Sequence, residues 1–215
     1  MIKHILFDLD GVISDNSDGI TNGVKEVLKH YGREVPPKSE LLKFIGPPLH
    51  DAFMEYLGLS AEESTDGVKV YREYYRSCGI FENVMYDGVP EMLSSLCDAG
   101  YKLYLATSKP EEFARRICAR FEIDRYFTYI GGATFDGSRD KKADVIRYVM
   151  DEYNIVSSEA IMIGDRHHDV LGAAECNVSC IGVLYGFGSK KELEDAGASH
   201  IVASPAEITA IIKTL

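Results

Sequence analysis

The stretch HILFDLDGVISD, residues 4–15, decides how the rest of the chain is read. An apolar run of strand length, His4 to Phe7, passes directly into Asp8, Asp10, Gly11 and Asp15. Strands disfavour Asp and Gly, so a strand that ends this way either meets a solvated turn or presents carboxylates to a ligand. The residues that follow the other apolar runs decide between the two.

Those runs recur at 101–106 (YKLYLA), 126–130 (YFTYI), 160–163 (AIMI), 179–185 (SCIGVLY) and 200–202 (HIV). Between most of them lie segments of helical period. Phe113, Ile117 and Phe121 share one face of PEEFARRICARF, and Val145, Ile146 and Val149 share one face of KADVIRYVM. Continuous apolar strands alternating with amphipathic helices predict an α/β fold, a doubly wound parallel sheet covered on both faces. From Ser17 to about Asn83 the pattern is helical only, with Ile20, Val24, Val27, Leu28 and Tyr31 in a stripe that stops at Gly32. The expected organisation is a core of residues 1–15 and 85–215 with an inserted small helical domain at 16–84.

A chain of 215 residues buries roughly 70% of its unfolded surface, enough for a core that needs no staple. The five cysteines, odd in number and without CxxC spacing, read as reduced thiols of a cytoplasmic protein. The N-terminal apolar run is too short for a signal sequence or a membrane span. A net charge of -11 without any Lys/Arg block argues against nucleic-acid binding. A small-molecule substrate is the expected partner, with no membrane; the sequence sets no oligomeric state, and a monomer satisfies it.

In a parallel α/β sheet, ligands bind beyond the carboxyl ends of the strands. Asp8 and Asp10 follow the first run, Thr107 and Ser108 the second, and Asp165 with Asp169 the run at 160–163, while Lys141 and Lys142 open a helix. Asp8 and Asp10, two apart, lean to one side of the sheet; Asp165 and Asp169, four apart, share a helical face. Converging carboxylates resist joint ionisation, and a divalent cation relieves them. All-oxygen ligands favour Mg²⁺, and a hydroxyl, backbone N–H groups and a lysine beside it make a phosphate cradle.

These residues resemble the motifs of the haloacid dehalogenase superfamily. DLDGV (8–12) is similar to its first motif, LYLATSK (103–109) to the second, a lysine of DKKAD (140–144) to the third and IMIGDRHHD (161–169) to the fourth. The resemblance covers nearly the whole chain, and the helical insert is similar to the cap of phosphoglycolate phosphatase-like members. It implies a Mg²⁺-dependent phosphatase for a small monoester of phosphoglycolate, nucleotide or sugar-phosphate type. Asp8 would be the nucleophile and Asp10 the general acid and base. The Asp8 carboxylate, the Asp10 carbonyl and Asp165 would hold the metal, with Asp169 a further ligand or an orienting group. Thr107, Ser108 and one of Lys142 or Lys141 would hold the phosphoryl group, and Asp15, Gly46 and Pro47 would lie near the substrate pocket.

Val12 stands where many phosphatases of the family carry Thr and where beta-phosphoglucomutase-like phosphotransferases carry Val. The alternative reading is therefore a mutase; a third, a phospho-accepting regulatory domain, explains neither Asp10 nor the insert. Other readings are plain. His167 and His168 are expected to be exposed loop residues, Asp15 could be a helix cap, the tyrosines of 70–76 should be packing, and Gly186 and Gly188 an ordinary loop that lies at the edge of the site.

Overall fold

The computed structural model describes all of residues 1–215. In chain order the elements are β1 (His4–Phe7), β2 (Ser14–Asp15), α1 (Ser17–His30), α2 (Lys38–Leu41), α3 (Leu49–Leu57), α4 (Ala61–Ser77), β3 (Val84–Met85), α5 (Val89–Asp98), β4 (Lys102–Pro110), α6 (Glu111–Arg120), β5 (Phe127–Ala133), α7 (Lys142–Glu152), β6 (Ala160–Gly164), α8 (His167–Glu175), β7 (Ser179–Val183), α9 (Lys190–Ala196), β8 (His200–Val202) and α10 (Pro205–Ile212). Two compact units result, Met1–Ser14 with Met85–Leu215, and Asp15–Val84.

The larger unit is built on a six-stranded sheet of order β5-β4-β1-β6-β7-β8, with every pairing parallel. Strand alternation sends Leu6, Tyr104, Ala106, Met162 and Cys180 to one face, where Val145, Ile146 and Val149 of α7, Val170 and Ala173 of α8 and Leu193 of α9 cover them. Ile5, Phe7, Leu103, Leu105, Ile161 and Ile163 are left to the opposite face, packed by α5, α6 and α10. Burial on both faces is why these strands read as unbroken apolar runs. The chain moves outward from β1 through β4 to β5, then returns to β6 on the other side. That reversal leaves the crevice of a doubly wound sheet beyond the ends of β1 and β6.

One strand outruns its expected length. β4 continues past Ala106 to Pro110, and its pairing with β5 shifts register between Thr107 and Pro110. A bulge of that kind re-aims the side chains it carries, so Thr107 and Ser108 belong to the strand end and not to a following loop.

The smaller unit is helical. Its helices approach closely at glycines: a Cβ on Gly23 would press into the Tyr71 ring, and one on Gly67 would sit 3.2 Å from Val27. Tyr71 and Tyr75 stack with centroids 5.5 Å apart inside this unit, so they are packing residues. Ser60 and Glu63 form the capping box that starts α4. No helix of the protein is long and apolar enough to cross a membrane, and all five cysteines are free thiols.

Leu105 is fully buried in β4 and faces the α5 and α6 side. Leu105→Ala should cost about 2–5 kcal/mol, read as a lower urea midpoint at unchanged slope. A midpoint equal to wild type would mean this face of the sheet is not the core.

Candidate active site

Beyond Phe7 the chain folds back on itself within seven residues. Leu9 N–H donates to Asp8 Oδ1 at 2.8 Å, Gly11 N–H to the Ser14 carbonyl at 2.9 Å, and Ile13 N–H to the Leu9 carbonyl at 2.9 Å. Gly11 takes φ +82, and a Cβ there would run into the Asp165 carboxylate. Leu9, Val12 and Ile13 are fully buried, which pins the turn and leaves Asp8 and Asp10 at its mouth. The aspartates after the first strand therefore do not mark a solvated turn.

Asp8, Asp165 and Asp169 are all buried, and their oxygens lie within 4.8 Å of one another. A single buried ammonium, Lys142 Nζ, sits 2.8 Å from Asp8 Oδ1 and 2.8 Å from Asp169 Oδ1, and donates to the Ala106 carbonyl at 3.2 Å. Three carboxylates facing one ammonium leave two negative charges uncompensated. Burial, and then the neighbouring carboxylates, push Asp165 well above the usual carboxylate range. Burial also raises Asp8, against the pull of Lys142 and a hydrogen bond from Thr107. Lys142 is opposed by its own burial, yet Asp169 and Asp8 raise it above an ordinary lysine. An all-oxygen cluster with that charge deficit fits a hard divalent cation.

Asp169 is already engaged at both oxygens, since Oδ2 accepts the N–H groups of Asp165 at 3.0 Å and Arg166 at 3.1 Å while Oδ1 meets Lys142. This is the geometry of an orienting group that fixes the turn between β6 and α8. Asp165 is held through Oδ2 by the Phe187 N–H at 2.7 Å. That contact needs the glycines on either side: a Cβ on Gly186 would lie 2.5 Å from Asp165 Oδ2, and one on Gly188 would overlap the Asp165 carbonyl. The loop read as ordinary in the sequence is thus a clamp on the cluster.

The two candidate lysines are placed differently. Lys141 is exposed, whereas Lys142 is buried among the carboxylates. Thr107 is buried at the end of β4 and Ser108 is half-buried. Asp10 meets a lysine that sequence reasoning missed: Lys109 Nζ lies 2.9 Å from Asp10 Oδ2, with the lysine side chain 4% exposed. Lys109 lies two residues beyond Thr107, inside the stretch where β4 shifts register against β5, so simple strand alternation did not announce it. Phe187 acts through its backbone, so no side chain could announce it.

The histidine expectation is corrected. His167 and His168 open helix α8 and are half-buried, because Glu192 accepts from the His167 N–H at 3.0 Å, lies 2.6 Å from its ring Nδ1 and pairs with Arg166 Nε at 2.8 Å. Burial, and next the charge of His167, lower His168 to about 4. Asp15 does not occupy the N-cap position of α1, which is Asn16, but its Oδ1 accepts the Ser17 N–H at 2.8 Å. Asp15, Gly46 and Pro47 all belong to the helical unit, where Gly46 takes φ +109 ahead of α3.

The family profile of the haloacid dehalogenase-like hydrolases matches residues 5–183. A 5'-nucleotidase of Pseudomonas aeruginosa is 42% identical over 211 residues, which is 98% of this chain and 96% of that protein. Tyrosine-protein kinase PtkA of Mycobacterium tuberculosis is 35% identical over 98% of this chain and 72% of its own length. The crystal structure of a "predicted phosphatase" from Clostridium acetobutylicum matches with a TM-score of 0.98 and 46% identity, covering 100% of both chains.

Gly186→Ala should push the 185–188 loop away from Asp165 and speed hydrogen exchange at the Phe187 amide at least tenfold, on the order expected when a protecting hydrogen bond is lost. An unchanged exchange rate would mean that the loop absorbs the methyl group and that the clamp is not tight.

Proposed function

Because the chain belongs to the haloacid dehalogenase-like hydrolases and is a phosphatase of that family, we propose that it hydrolyses a small phosphate monoester, with Mg²⁺, through an aspartyl-phosphate on Asp8. The observation that carries this reading is the buried cluster of Asp8, Asp165 and Asp169 with two negative charges left over beside Lys142. The Asp8 carboxylate, the Asp10 carbonyl and Asp165 would hold the ion, and Asp169 would orient them. When bound, it neutralises the cluster and lowers the repulsion between Asp8 and an incoming phosphate dianion.

The remaining chemistry falls to side chains. An Asp8 carboxylate oxygen bonds to phosphorus as the ester P–O bond breaks, and the leaving oxygen takes its proton from the Asp10 carboxyl group. Water then attacks phosphorus, Asp10 accepts the water proton, the P–O bond to Asp8 breaks, and inorganic phosphate leaves. Thr107, Ser108 and Lys142 hold the phosphoryl oxygens through both steps. The helical unit is assigned the role of a cap, with Asp15, Gly46 and Pro47 as its proposed substrate contacts.

Hydrolysis is preferred over phosphoryl transfer to a sugar. The feature that favoured a mutase, Val12, has its side chain fully buried, and its carbonyl accepts the Tyr185 hydroxyl at 3.1 Å. A valine there reflects packing of the turn and carries no message about the acceptor.

Assayed on 5'-nucleotides, phosphoglycolate, hexose phosphates and phosphotyrosine, the protein should release inorganic phosphate without a bisphosphate primer. Asp8→Asn should release none. Hexose phosphate isomerisation outrunning phosphate release would overturn the assignment. Mg²⁺ should also stabilise the fold. Asp8 and Asp165 have raised pKa values when folded, so metal-free stability is fullest below the ordinary carboxylate pKa and falls as pH rises through the raised values. A cation that binds the ionised cluster offsets that loss. At a hundredfold excess over Kd it supplies about 2.7 kcal/mol, or roughly 5–10 °C in Tm for a chain of this size. The shift should be larger at about pH 7.5 than at about pH 5.5; a shift that grows on acidification would count against the cluster as the metal site.

A further inference from the structure

Lys109 ends in a buried ion pair that neither the metal cluster nor the phosphate cradle uses. Its Nζ lies 2.9 Å from Asp10 Oδ2, with side-chain exposures of 4% for the lysine and 13% for the aspartate. Both ends of the pair are fixed. Lys109 N–H donates to Thr107 Oγ1 at 3.2 Å, and a Cβ on Gly132 of β5 would lie 2.6 Å from the Lys109 carbonyl, so the strand end is wedged against its neighbour. The register shift between Thr107 and Pro110 falls on this residue and turns it toward β1. Asp10, for its part, rides on the turn that closes through Gly11 and Ser14.

We propose that Lys109 is the positioning residue for Asp10. It holds one carboxylate oxygen, Oδ2, so that Oδ1 is presented to the leaving oxygen in the first step and to water in the second. A carboxylate free to rotate about its side-chain bonds would present that oxygen only part of the time, and general acid–base catalysis depends on the geometry. Lys142 does not fill this role, because its Nζ lies against Asp8, Asp169 and the Ala106 carbonyl and not against Asp10. The inference rests on the reading of Asp10 as acid and base.

The test compares leaving groups. Lys109→Met keeps the length and apolar volume of the side chain and removes the ammonium. With an alkyl phosphate, whose leaving oxygen must be protonated, the single-turnover rate of phosphoenzyme formation should fall about 10²-fold; with p-nitrophenyl phosphate, whose leaving group needs no proton, it should fall less than about tenfold, while hydrolysis of the phosphoenzyme slows alike for both. The substrate concentration for half-maximal formation should change by less than about threefold, and Lys109→Arg should recover part of the alkyl rate. Lys109→Gln, read the same way, serves if the Met variant does not fold. Equal losses in phosphoenzyme formation on both substrates, or weaker half-saturation at an unchanged formation rate, would assign the ammonium to structure or to substrate binding and overturn the proposal. Asp10→Asn separates the two levels. If it shows the leaving-group dependence and the Lys109 variants do not, the positioning role alone fails; if it shows none, the acid–base reading of Asp10 falls and the proposal with it.

Discussion

Two aspartates from different strand ends, Asp8 after β1 and Asp169 in the first turn of α8, share one ammonium at 2.8 Å from each, and the architecture of the site follows from that sharing. A buried lysine with a single partner would be poorly compensated, because removing an ammonium from water costs several kcal/mol that one ion pair does not reliably return. Lys142 has two carboxylates and the Ala106 carbonyl at the end of β4. One side chain therefore ties together β1, β4 and α8. Room for its stem comes from Gly172, where a Cβ would lie 2.8 Å from the Lys142 Cγ.

The same crowding recurs around the cluster and explains where glycine is required. Gly164 lies under the Asp169 side chain, Gly11 under Asp165, and Gly186 and Gly188 against Asp165 from the side. At each position, backbone from one element has to reach a carboxylate held by another. The cost is conformational freedom at four glycines. The return is a set of backbone N–H donors, from Leu9, Asp165, Arg166 and Phe187, aimed at three carboxylates. Backbone donors are fixed by the fold, so these acids keep their orientation without relying on flexible side chains.

Much of this was legible in the sequence, and the failures share a cause. Apolar runs gave the strands because both faces of the sheet are buried, and Asp8, Asp10, Thr107 and Asp165 do stand at the strand ends where ligand sites in such sheets gather. What local pattern could not resolve depended on contacts between elements distant in sequence. Lys141 and Lys142 are adjacent and chemically alike; only the approach of α8 buries one and leaves the other in solvent. The histidines of GDRHHD were read as loop residues because nothing nearby in sequence announces Glu192, which lies 25 residues beyond His167. Val12, the residue behind the mutase alternative, is another such case: it is fully buried in the turn, a packing environment that its place in the sequence does not announce.

The two lysines of the site also divide its chemistry by charge. Lys142 stands among three carboxylates, an excess of acid groups that fits a hard cation. Lys109 instead lies against Asp10. The separation has a topological origin. The metal-fitting cluster spans β1 and β6, on one side of the central strand, whereas the Asp10 pair spans β1 and β4, on the other. Asp8 and Asp10, two residues apart on one turn, thereby face different neighbours, and under the proposed mechanism that difference would let one carboxylate serve as nucleophile while the other handles protons.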